Sequence, residues 1–165
     1  MSIGKILFCI LTIGCISCGT TQKVAQKPIP SELATKVGDE MAIFLSSPDK
    51  VIFHKLQNEV AAVQVLPDYF RKDEGIVLSS DEVAVVQFLF TENPDCFGAQ
   101  QAVAVMAPFL PFNEFVFQKG KESVSLVVST SDMSWAIVHN GELLHTFTYT
   151  DITAVKRFLK SLQTR

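Results

Sequence analysis

The second half of the chain constrains the fold most. From residue 101 to Tyr149 it breaks into five short apolar or alternating runs, "QAVAVMA", "EFVFQ", "SVSLVVS", "SWAIVHN" and "ELLHTFTY". Valine, phenylalanine, threonine and tyrosine favour a pleated, half-buried surface, so each run reads as a strand. The last two are joined by Asn140-Gly141, and both residues tolerate the positive φ of a two-residue type I′ turn. That pins an antiparallel hairpin, pairing His139 with Glu142, Ile137 with Leu144 and Trp135 with Thr146. On this register His139 and His145 point to opposite sides of the sheet.

Helical patterns flank the strands. In "SELATKVGDEMAIFLSSP" Leu33, Val37, Met41, Phe44 and Leu45 form one stripe, Ser31 suits an N-cap, and Pro48 ends the run. Two strand-like runs follow, "KVIFHKL" and "EVAAVQVL". "LSSDEVAVVQFLFTENP" is apolar nearly all round, but Ser79 with Glu82 three residues on makes a capping box, which decides for a buried helix ended by Asn93-Pro94. A final helix places Ile152, Val155, Phe158, Leu159 and Leu162 on one face. Asp151 lies at its start, and Lys156, Arg157 and Lys160 face solvent. The expectation is a single α+β domain over residues 31–165: a mostly antiparallel sheet with about three helices packed on one face.

The N-terminus says where such a domain works. One basic residue, Lys5, precedes an apolar run from Ile6 to Ile13 or Ile16. Eight to eleven residues rise only about 12–17 Å as a helix, too short for a hydrocarbon core of about 30 Å, so a secretory signal fits better than a membrane span. The run ends in "GCISC", with Gly14 before Cys15 and Ser17 before Cys18. This stretch resembles the lipobox of bacterial lipoproteins, in which a cysteine after a small residue is lipidated and becomes the new N-terminus. The resemblance covers residues 1–18. It implies a signal peptide at 1–17, lipidation of Cys18 (alternatively Cys15) and anchorage in a bacterial cell envelope facing the periplasm. Cys18 is preferred because cleavage at Cys15 leaves a hydrophobic region of minimal length. Residues 18–30, ending "GTTQKVAQKPIP", read as a polar, proline-containing tether.

The same C-x-x-C spacing could mark a redox pair or a metal site. A redox pair belongs inside a folded βαβ unit, and zinc needs further ligands that no second C-x-x-C or C-x-x-H supplies. Charge excludes another class. The chain has 14 basic and 17 acidic residues, and loss of Lys5 leaves 13 against 17. No Lys/Arg cluster offers a nucleic-acid footprint.

Candidate chemistry is sparse. No G-x-S-x-G, H-E-x-x-H, Walker or dinucleotide fingerprint occurs, and no cofactor is expected. His139 and His145 invite a metal, but the hairpin register opposes a joint site. Cys96 in "NPDCFG" has Asp95 beside it and no nearby base, so it reads as a buried thiol rather than a nucleophile. "LPDYFRKDEG" gathers Asp68, Arg71, Lys72, Asp73 and Glu74 around Tyr69 and reads as a solvated loop. "APFLPFNEFVF" holds Phe109 and Phe112 on a proline-stiffened segment. The two rings either tuck beneath the sheet or form a contact patch for a partner. Two functions follow as expectations. One is a lipid-anchored, non-catalytic domain that binds another envelope protein or a cell-wall component. The other is a small periplasmic hydrolase using carboxylates such as Asp68, Asp73 or Asp132, or a histidine, converging in a pocket.

Overall fold

The structure, a computed structural model, describes residue 29 and residues 31–58, 69–98 and 109–165. The signal peptide, nearly all of the tether, Cys15, Cys18, Asp68 and the expected strands "EVAAVQVL" and "QAVAVMA" lie outside the described residues.

Helices α1 (Ser31–Val37) and α2 (Asp39–Ser46) lead into β1 (Lys50–Asn58), β2 (Tyr69–Arg71) and β3 (Ile76–Val77). Helix α3 (Ser80–Gln87) continues through a π-helical turn at Phe88–Glu92 and a 3₁₀ turn at Pro94–Cys96. The meander β4 (Asn113–Lys119), β5 (Glu122–Ser129), β6 (Ser134–His139) and β7 (Glu142–Thr148) precedes the closing helix α4 (Thr153–Gln163). All strand pairings are antiparallel, in the order β2-β1-β4-β5-β6-β7, with the short β3 also on β1. The architecture is α+β: one open antiparallel sheet of seven strands with about four helices.

The helix count differs from the expected three because the first helix is broken. Gly38 sits at φ 85°, where residues with a Cβ are strained, so the chain turns there and restarts at Asp39. The apolar stripe survives the break in part: Leu33, Val37 and Leu45 are buried, Met41 and Phe44 are only partly buried, and Ala42 joins the core. The capping box forms as expected, with the Ser79 hydroxyl accepting from the Glu82 N–H and the Glu82 carboxylate accepting from the Ser79 N–H. Beyond it the helix widens, and the Asn93 N–H donates to the Phe88 carbonyl at 2.8 Å. Both Leu89 and Phe90 are buried in this wider turn, leaving Phe88 exposed.

Every helix among the described residues packs on one face of the sheet. Val51, Phe53, Phe115, Phe117, Leu126, Trp135, Ile137 and Phe147 meet Leu33, Leu45, Val86, Phe90, Val155, Leu159 and Leu162 in one core. Trp135 is fully buried, and its indole N–H donates to the Cys96 carbonyl at 2.6 Å. Phe90, Phe97 and Phe147 pack around it at centroid distances of 5.3, 5.7 and 4.8 Å. Burial of so large a ring with its one donor satisfied makes it the centre of the fold.

The hairpin corrects the expected register. His139 pairs with Glu142, but Ile137 pairs with His145 and Trp135 with Phe147. Leu144 is therefore the extra residue of a β-bulge, and everything after it shifts by one. Both His139 and His145 consequently lie on the helix-covered side of the sheet rather than on opposite sides.

Candidate functional site

The other face of the sheet carries a second, smaller cluster, Leu56, Phe109, Val127, Ala136 and Val138 with Leu143, and none of its members comes from a helix. Alternation along β4 sends Phe115 and Phe117 into the main core and Glu114 and Val116 onto this face, which is helix-free among the described residues. Glu114 is thereby a carboxylate with a 1% exposed side chain, in mid-sheet between His54 of β1 and Val127 of β5.

A charge so placed needs partners, and it has them. The Arg71 guanidinium, half exposed on β2, donates from Nε to Glu114 Oε2 at 2.7 Å and from Nη2 to Oε1 at 3.0 Å. The Ser125 hydroxyl donates to Oε1 at 2.6 Å. Three of the roughly four acceptor positions of the carboxylate are filled, in the fork geometry that makes Arg–carboxylate pairs strong. "LPDYFRKDEG" is thus not simply a solvated loop. Its Tyr69–Arg71 segment is a strand paired with Asn58–Leu56, and that pairing delivers Arg71 to the sheet face. A lone charge ahead of the apolar "FVF", in "NEFVF", was the signal in the sequence; its partner, 43 residues away, left none.

Beside this cluster lies an open cavity of about 460 Å³. Its polar lining comes from Arg71, Glu114, Ser123, Ser125, Asn140 and Gly141, and its apolar part from Phe70 and Val138. The hairpin turn contributes directly. Asn140 and Gly141, at φ 53° and 80°, bring the Asn140 amide to the cavity rim.

Next to Glu114, His54 is buried, with its Nδ1 3.6 Å from Asp73 Oδ1 and no hydrogen-bond partner for that nitrogen among the described residues. Gly75, at φ 85°, lies directly over the imidazole. A Cβ there would fall 2.4 Å from His54 Cε1, so the close approach requires glycine. Asp132 is elsewhere, in the β5–β6 turn, where its carboxylate accepts from the Ser129 hydroxyl at 2.6 Å and the Leu110 N–H at 3.2 Å. Strands β4 and β5 separate Asp73 from Asp132, and the two do not converge.

The remaining sequence candidates divide as follows. Phe109 is buried in the small cluster, whereas Phe112 is 43% exposed. The Phe112 N–H donates to the Val128 carbonyl and its own carbonyl accepts from the Leu56 N–H, so it continues β4. Two residues before Glu114, it shares the helix-free face. Cys96 is fully buried, and burial with the nearby Asp95 charge pushes its thiol up to about 12, which leaves no thiolate for chemistry near neutrality. His145 stacks on Phe147 at 6.2 Å, and burial holds its imidazole below the ordinary range. His139 lines a separate concavity of about 380 Å³ on the helix side, with Phe44, Glu122 and Leu144. Among the described residues no three His, Cys, Asp or Glu side chains are grouped to hold a metal, and no helix is long and apolar enough to cross a membrane.

No family model, curated protein or solved structure matches the chain.

Proposed function

We propose that the protein is a lipid-anchored binding module of a bacterial cell envelope, held by Cys18 (or Cys15) and a short tether. It acts without catalysis, presenting the helix-free face of its sheet to another envelope protein or to a cell-wall component. The observation that carries this reading is the state of Glu114. A carboxylate with two guanidinium hydrogen bonds and a third from Ser125 is held rigidly as a structural anchor. Around it the cavity offers fixed hydrogen-bonding groups of the kind that select and orient a ligand. Phe112 extends the same face as an exposed aromatic contact.

Two experiments test it. Palmitate labelling of wild type, Cys15→Ser and Cys18→Ser should lose label in one single mutant; label retained in the double mutant removes the anchor. Cross-linking in intact cells with a tag after Arg165 should yield a discrete partner, with capture lost in Phe112→Ser. Equal capture by that variant removes Phe112 from the surface.

The hydrolase reading has one observation of its own, the unpartnered His54 Nδ1 beside Asp73. Turnover of ester, glycoside or peptide substrates by wild type and not by Asp73→Asn would favour it over the binding module.

A further inference from the structure

We propose that the cavity beside the Arg71–Glu114 pair binds a saccharide, the uncharged and hydroxyl-rich unit of a glycan. The inference rests on the binding-module reading and names the ligand class for the same site.

Charge comes first. Among the described residues the lining holds one cation and one anion, and they neutralise each other at 2.7 and 3.0 Å. A charged ligand would gain little net attraction here and would lose its hydration, whereas a neutral hydroxyl gives up far less. Hydrogen bonding comes second. Ser123 and Ser125 present hydroxyls and Asn140 an amide, groups that both donate and accept, as sugar hydroxyls do. The planar guanidinium–carboxylate fork adds fixed directions rather than free charge. Shape and apolar surface come third. Val138 and Phe70 are the two apolar residues of the lining, and limited apolar contact suits the C–H groups of a pyranose ring. The volume, about 460 Å³, lies within the range of small-ligand sites, and its open form lets a chain enter and leave. Finally, the site is preorganised. Glu114 is buried and pinned from two strands, and Asn140 is fixed by its turn, so little conformational freedom remains to be lost on binding.

The test uses the full chain in a detergent without a sugar headgroup. Chitotetraose, cellotetraose and maltotetraose are titrated while amide NMR shifts are followed. At least one should shift Ser123, Ser125, Asn140 and Gly141 selectively. Ser123→Ala/Asn140→Gly should weaken binding about tenfold, the glycine keeping the positive φ of the turn, and Phe70→Ala by a similar factor. Phe88→Ala, which removes a comparably exposed ring, should leave affinity unchanged. Cosedimentation with purified sacculi then identifies a wall glycan when the protein pellets and a free sugar when it stays in solution.

No shift with any of the three at millimolar concentration overturns the proposal, as do shifts that survive both variants. If cross-linking in cells yields a partner lost in Ser123→Ala/Asn140→Gly while no saccharide binds, the binding module stands and the saccharide falls. If neither partner nor saccharide is captured, both fall.

Discussion

The two faces of the sheet are built from the same strands and solve different problems. On the covered face, alternate residues of β1, β4, β5 and β6 are aliphatic or aromatic, and four helices seal them into one core around Trp135. On the other face the same alternation delivers His54, Glu114 and Ser125 along with a few aliphatic residues. Polar groups at such depth must be satisfied by one another, and the Arg71–Glu114–Ser125 cluster does this at a cost in burial that an aliphatic side chain would avoid. One face holds the domain together. The other retains chemistry that folding alone does not require.

The largest effect that could break this contrast lies at its centre. Trp135→Ala should cost about 3–5 kcal/mol, and Val138→Ala on the opposite face about half as much or less, read as a difference in urea midpoint. Equal losses would mean that the helix-free face carries as much of the stability as the core.

Next comes alkali, through two groups of the covered face. Burial raises Cys96 from 9.0 to about 12, and burial together with Cys96 raises Tyr149 well above its ordinary value of 10.0. Both groups are held neutral in the folded protein. Their contribution is fully present below pH 9 and is lost as pH rises from about 9 toward 12, because the unfolded chain ionises first. Urea midpoints should fall through that window, and Cys96→Ala should flatten the first part of the fall. A stability curve flat from pH 8 to 11 would contradict the burial of both groups.

The third effect belongs to the open face. Arg71→Ala strands a carboxylate that is 1% exposed; because the arginine is half exposed, water can partly replace it, and the cost should be about 1–3 kcal/mol. The double substitution Arg71→Met/Glu114→Leu should recover most of that loss. Recovery of stability with no recovery of ligand or partner binding would assign the pair to recognition rather than to folding.

What the sequence made legible follows the range of the interactions. The capping box spans four residues and the Asn140-Gly141 turn two, and both formed as read. The face of α4 was legible for the same reason: Val155, Leu159 and Leu162 are buried and Lys156, Arg157 and Lys160 exposed. The bulge at Leu144 was not legible, because a one-residue slip leaves the apolar pattern of "ELLHTFT" acceptable in either register until the opposing helices choose Phe147 for the core. The break at Gly38 was hidden by an apolar stripe that continues across it. The Arg71–Glu114 pair is a contact between strands, so no local pattern encodes it, though an isolated glutamate in β4 marked one end.

The smallest expected effect on stability is the most informative about function. Phe109 and Phe112 look alike in sequence, two phenylalanines each preceded by proline or near one, yet the first is 9% exposed and the second 43%. Phe109 packs with Leu56, Val127, Ala136 and Val138, so its removal opens a hole in the only apolar cluster described on that face. Phe112 ends the same face beyond Glu114 with much of its ring in water, and Phe112→Ser should change stability by less than about 0.5 kcal/mol. If it nonetheless abolishes capture of the partner in cells, the loss cannot be ascribed to unfolding, and the exposed ring is a contact. If it costs 2 kcal/mol or more by urea titration, Phe112 is part of the fold, and the recognition surface contracts to the cavity between Arg71 and Asn140.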